Sequence, residues 1–219
     1  FCIPLELSNG TLKEQSTPFE IEWTEVTSIN RQTSGLSSAF YNSSITKFSL
    51  PNLLSITTQS AQLSQCCQKC VSLTTVDLSS LKEVKYNSAL YYAFSLCPNL
   101  TSVNMQNLEQ IEGANAFSYT FYNTGLTSFR FTKLKSISHG SGGFIYTVMA
   151  YAFGGTTPIT SLYFDVLESV ANQQNLQNML NGVTGCTVHF PSALQSTIGS
   201  WASVTNGFGG TNTTVLFDL

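Results

Sequence analysis

Apolar residues recur along this chain in a five-point template at positions i, i+3, i+5, i+8 and i+11. Leu100, Val103, Met105, Leu108 and Ile111 define it. The same spacing selects Ile45, Phe48, Leu50, Leu53 and Ile56, then Leu73, Val76, Leu78, Leu81 and Val84. It returns as Leu126, Phe129, Phe131, Leu134 and Ile137, and as Ile159, Leu162, Phe164, Leu167 and Val170. The starting positions 45, 73, 100, 126 and 159 lie 28, 27, 26 and 33 residues apart. A fixed period of this length is the mark of a stacked-repeat architecture. One insertion accounts for the long interval, and the Gly-rich stretch Ser138 to Thr147 is where it is expected to loop out. Weaker copies run through Pro18, Ile21, Trp23, Val26 and Ile29 and through Val188, Phe190, Leu194 and Ile198, with a last strand-like piece at Thr213 to Phe217.

Apolar residues at i+3 and i+5 alternate with polar ones, which is the signature of a half-buried strand. The second half of each repeat carries apolar pairs four apart: Leu36/Phe40, Leu63/Cys67, Leu90/Phe94, Phe117/Phe121, Met149/Phe153 and Leu176/Leu180. That spacing puts both side chains on one face of a short helical turn. Each repeat is therefore expected to be a strand followed by a helical or irregular return. Such a unit cannot bury its apolar edge alone, so the repeats must share one continuous core. The expected organisation is one domain: an N-terminal cap over 1–17 with an Asn9-Gly10 turn between extended pieces, about seven coils over 18–198, and a C-terminal cap over 199–219 holding the last strand.

Composition narrows the partners. Only 10% of the 219 residues are charged and the net charge is -3. No Lys/Arg cluster is present to neutralise phosphates, which argues against nucleic acid and against an anionic membrane surface. No apolar run approaches the ~20 residues of a spanning helix, so no membrane insertion is expected. A chain opening at Phe1 is expected to have lost an upstream segment, and a secretory signal would fit. Six cysteines are too few for a disulfide-built scaffold.

Several residue strings carry a resemblance. They are Ala93-Phe94-Ser-Leu-Cys97-Pro-Asn-Leu100-Thr-Ser-Val103, Ala39-Phe40, Ala152-Phe153, and the proline after the strand in Phe48-Ser-Leu50-Pro51 and Val188-His-Phe190-Pro191. With the periodicity, they make residues 18 to 198 resemble the BspA-like leucine-rich repeat family of bacterial surface proteins. The chain departs from that pattern in its longer coils and in having Ser79, Gln106, Thr132 and Asp165 where the proline would stand. The expected fold class is an α/β repeat: a leucine-rich-repeat right-handed solenoid with a parallel sheet on one face and short helices or irregular turns on the other. The resemblance implies an extracellular or cell-surface protein used in adhesion, and it brings no catalytic residues with it.

If i+3 and i+5 point inward, i+2 and i+4 point outward. The i+4 column reads Glu22, Ser49, Asp77, Asn104, Arg130, Tyr163 and His189, whereas the i+2 column, Glu20, Lys47, Thr75, Ser102, Ser128, Ser161 and Thr187, is mostly Ser and Thr. Diversity in the first column makes Asp77, Asn104, Arg130, Tyr163 and His189 candidate ligand-binding residues, with a solvated sheet face as the alternative. Tyr92, Tyr119 and Tyr151 form a second, partly exposed aromatic column on the return side, suited to a sugar ring or a protein surface, or to shielding the repeat edge. Thr46, Thr74, Thr101, Thr127 and Thr160, at i+1, are expected to bond the backbone or pack as a β-branched ladder.

Cys67-Gln-Lys-Cys70 lacks the second ligand pair of a zinc site and the βαβ setting of a redox motif, so no metal or cofactor is expected. Cys70 and Cys97 occupy equivalent positions one coil apart, where either a disulfide or stacked free thiols would fit. His139 and His189 stand apart from Asp77, Asp165 and Asp218 in sequence, and no nucleophile elbow is present. Gly140-Ser-Gly142-Gly143 lacks the lysine of a phosphate loop. The chain is expected not to be an enzyme. It is expected to be a monomeric recognition or adhesion module that binds a host or microbial protein or glycan through its strand face, or else a spacer that displays a neighbouring domain.

Overall fold

The computed structural model describes residues 7–8, 11–12, 17–29, 35–57, 61–139, 147–202 and 207–219. A short antiparallel hairpin, β1 (Leu7–Ser8) with β2 (Thr11–Leu12), precedes the repeats; Ser8 faces Thr11, and the expected Asn9-Gly10 turn falls outside the described residues. The rest is a parallel β-solenoid of about seven coils. One face carries β3 (Phe19–Glu22), β4 (Ile45–Ser49), β6 (Thr75–Asp77), β8 (Ser102–Asn104), β10 (Ser128–Phe131), β12 (Ser161–Phe164), β14 (Thr187–His189) and β15 (Thr214–Leu216). All the pairs on this face are parallel, with Phe48 opposite Val76, Val76 opposite Val103, Phe129 opposite Leu162 and Leu162 opposite Val188. The i+3 positions of the template are thus in register from coil to coil.

A second sheet was not legible in the alternation. It comprises β5 (Ser55–Ile56), β7 (Glu83–Val84), β9 (Gln110–Glu112), β11 (Ser136–Ser138) and β13 (Ser169–Val170), joined in that order. The i+11 residues Ile56, Val84, Ile111, Ile137 and Val170 are its buried side chains.

Of the two expected forms of the return halves, helical and irregular, the structure takes the irregular one. They are runs of tight turns in which every fourth residue takes a positive φ: Ala61, Gln65 and Lys69; Ser88, Tyr92 and Leu96; Asn115, Tyr119 and Asn123. Two hydrogen-bond sets alternate along each run. Ser64, Cys66 and Gln68 donate three residues back within the coil, whereas Leu63, Gln65 and Cys67 donate to carbonyls of the next coil. A left-handed non-glycine residue costs about 1–3 kcal/mol. Each residue just named has its N–H bonded to the neighbouring coil, which offsets that strain. The four-residue apolar spacing therefore reports the turn repeat, which brings every fourth side chain to the inside just as a helix would. Helix is sparse: among the described residues, α1 (Gln195–Ala202) is at the C-terminal end, and a short 3-10 turn spans Gln173–Leu176.

One hydrophobic cluster runs from Ile21 to Phe208, with Phe217 packed against it. Aromatic rings form its spine: Phe131 stacks on Phe164 at 5.1 Å, and Phe164 on Phe190 at 4.9 Å. On the return side Phe94, Phe121 and Phe153 stack at 5.8 and 5.7 Å. Cys67 occupies this column between Phe40 and Phe94, and Phe48 from the strand face bridges the two rings at 5.9 Å each.

The strand face is interrupted once, between β8 and β10, which share no ladder. The corner before β10 is one residue shorter than its counterpart before β8. Cys97 and Leu100 are separated by Pro98 and Asn99, but Thr124 and Leu126 by Gly125 alone. A Cβ on Gly125 would lie 2.5 Å from the Pro98 carbonyl oxygen, so the shortened corner is pulled against its neighbour. The long coil gains its extra residues after β11. Tyr119 and Tyr151, 32 apart, stack where Tyr92 and Tyr119, 27 apart, do the same. Residues 140–146 of that insertion, including the Gly-rich stretch, lie outside the described residues.

Candidate functional site

The parallel register sets the i+4 residues in one line: Glu22 beside Ser49, Ser49 beside Asp77, Asp77 beside Asn104, and, past the break, Arg130 beside Tyr163 and Tyr163 beside His189. The line divides into two kinds of position. Asp77 accepts from the Ser79 N–H at 3.0 Å and Asn104 from the Gln106 N–H at 3.3 Å. Both side chains fold back on the turn that leaves their own strand, a structural use of short polar groups. Ser49 departs from the expected exposure: it is buried, with its hydroxyl unpaired, between the longer side chains of Glu22 and Asp77.

Beyond the break the residues touch one another. The Arg130 guanidinium lies over the Tyr163 ring at 4.5 Å, and the His189 ring stacks on that ring at 4.3 Å, 12° from parallel. Arg130 Nε donates to both carboxylate oxygens of Asp165 at 2.9 Å. Nδ1 of His189 is 3.0 Å from both oxygens of Asp218. In sequence Asp165 and Asp218 stand far from Arg130 and His189. The coils bring each to a base that stands 35 or 29 residues earlier. The repeat itself held the signal: each acid sits one coil onward and two residues beyond the strand position of its base.

Tyr92, Tyr119 and Tyr151 are half-buried and stacked at 4.3 and 4.6 Å, 12° and 5° from parallel. Tyr91 and Tyr122 meet Tyr119 edge-on at 6.0 and 5.6 Å. Burial, followed by the neighbouring phenols, pushes the Tyr92 and Tyr119 hydroxyls above their ordinary range. The inner ring faces cover one another.

Thr46 and Thr74 Oγ1 each donate to a carbonyl of the preceding coil at 3.1 Å, as does Thr160 to Thr127. Cys66, Cys67, Cys70, Cys97 and Cys186 are buried free thiols. Cys70 and Cys97 donate to the carbonyls of Phe40 and Cys67 at 2.8 and 3.1 Å, stacked side by side without a disulfide. Burial pushes Cys97 upward and Cys186 to about 11, which keeps both protonated at neutral pH. His139 Nδ1 is 3.3 Å from the Asn172 amide. Among the described residues no group of three or more His, Cys, Asp or Glu side chains is placed to hold a metal ion. No hydrogen bond there joins His189 to a hydroxyl or thiol.

Parallel coils, an inward apolar template and short strands define a leucine-rich-repeat solenoid. More narrowly, residues 19–123 match, in six copies, the BspA type leucine rich repeat region. The strand register carries the same coil past the match to β15. No curated protein matches the chain significantly. Proteins of this family are typically surface-associated, and leucine-rich-repeat solenoids are typically scaffolds for interaction without catalysis. No helix among the described residues is long and apolar enough to cross a membrane.

Proposed function

We propose that the chain is a surface-exposed or secreted recognition module, monomeric and non-catalytic, that binds a host or microbial protein or glycan through the strand face. The observation that carries this reading is the Arg130–Tyr163–His189 stack. A cation, a phenol and an imidazole are held in one row across three coils on the partly exposed side of the sheet. Folding does not require such a row, since the core beneath it is complete without these side chains. Its rigidity also limits the entropy lost on binding.

One observation favours a second reading, a spacer without a ligand. Both bases of the stack already have acid partners, Asp165 and Asp218. The two readings separate in a binding screen of the purified chain against matrix proteins, mucins and a glycan panel, beside the Arg130→Ala/Tyr163→Ala/His189→Ala variant. Binding lost in a variant that melts as the parent does is the result expected of a recognition module. No binding by either protein would leave the spacer.

A further inference from the structure

Beside the stack runs a second row, on the same three strands and on β15. Ser128, Ser161, Thr187 and Thr214 stand opposite one another in register. Ser128 and Thr214 are exposed and the middle two half-exposed. None of the four hydroxyls is hydrogen-bonded among the described residues, whereas the Thr160 hydroxyl next to them is spent on a backbone carbonyl. A free hydroxyl both donates and accepts. Adjacent strands lie about 4.8 Å apart and alternate residues on a strand about 6.6 Å, so the two rows form a flat lattice about 14 Å long.

Charge and apolar surface narrow what fits that lattice. Arg130 is matched by Asp165 and His189 by Asp218, so an anionic partner must displace a carboxylate and a cationic one meets a guanidinium. The buried centre of a protein interface is more apolar than its rim and depleted in charge. Of the large exposed apolar side chains Leu54, Val71, Tyr86, Val166, Leu216 and Leu219, only Leu216 stands on these strands, on the last of them. Both faces of the Tyr163 ring are covered, which leaves its hydroxyl edge as the contact. The missing ladder between β8 and β10 separates this platform from the acidic half of the face, which holds Glu20, Glu22 and Asp77.

We infer that the platform β10–β12–β14–β15 binds an uncharged oligosaccharide laid along the solenoid axis, its hydroxyls exchanging hydrogen bonds with the Ser128–Thr214 row and with the Tyr163 edge. This rests on the recognition reading above and names its ligand class.

The test uses the whole chain against three sets of probes: neutral oligomers of glucose, galactose, mannose and N-acetylglucosamine; sialylated and sulfated oligosaccharides; and deglycosylated matrix proteins. The Ser128→Ala/Ser161→Ala/Thr187→Val variant runs beside it, with melting curves as the control for folding. Retention of a neutral oligomer is expected. It should be unchanged by added salt, which weakens exposed charge contacts, and at least about tenfold weaker in the variant. Binding confined to the charged sugars, or neutral binding that the variant leaves intact, would overturn the inference. Binding confined to the deglycosylated proteins would overturn it while leaving the recognition reading standing. Silence towards every probe would remove both.

Discussion

Phe121 sits within the aromatic spine, touching the rings of Phe94, Phe117, Phe129 and Phe153 within 5.8 Å. Phe121→Ala is expected to destabilise the chain by about 3–5 kcal/mol, the range for a buried aromatic truncated in a packed core. A melting curve within a degree or two of the parent would contradict the register assigned to the return halves. Tyr92 and Tyr119 give a different readout. Their folded-state values lie above the ordinary tyrosine value of about 10. The folded chain therefore holds their protons more tightly than the unfolded one does. Their contribution is complete below about pH 10 and is lost as pH rises through the folded-state values above it. Stability measured against pH should fall in that alkaline window, and the Tyr92→Phe/Tyr119→Phe variant should fall less steeply. These two tyrosines also show where reading single residues reached its limit. Their column and half-exposure followed from the period, but their left-handed backbone did not, because tyrosine is among the residues least associated with that conformation.

At the level of elements, the interruption between β8 and β10 is the feature most open to manipulation. Replacing Gly125 by the Pro-Asn pair found at the equivalent corner of the preceding coil should restore the common spacing and let the two strands pair. Hydrogen exchange at Ser102–Asn104 and Ser128–Phe131 would then slow towards that of β12, and unchanged exchange would place the cause of the break elsewhere. Gly125→Ala without the added residue should instead destabilise by about 1–3 kcal/mol, because its Cβ meets the Pro98 carbonyl on a backbone that cannot give way. The alternation is clearest in β10 and β12, where buried positions alternate with exposed or half-exposed ones. The second sheet escaped because its strands are two or three residues long, which leaves no alternation to detect. The four-residue spacing does not by itself separate turn runs from helical turns, because both put every fourth side chain inside. The acid partners of Arg130 and His189 escaped for another reason, since 35 and 29 residues separate each pair and only coil-to-coil alignment shows the two to be neighbours.

The two tryptophans report on opposite ends of the whole molecule. Trp23 leaves β3 and Trp201 belongs to α1, and both pack against the single cluster that runs between them. A shared core predicts one cooperative unit. Single-tryptophan variants, Trp23→Phe and Trp201→Phe, should show coincident denaturant midpoints. Separated midpoints would mean that the interrupted strand face divides the solenoid into two folding halves despite the second sheet and the turn face, which bridge the gap. Among the described residues, hydrogen bonds tie each coil to its neighbours, 25 to 34 residues away, on all three sides. The molecule therefore behaves as a ruler graduated in coils. Duplicating or deleting one coil of codons in the interior would change its length by one step of about 4.8 Å while leaving the kinds of contact untouched. Reach, and the number of platform strands offered to a ligand, can thus be tuned by copy number alone.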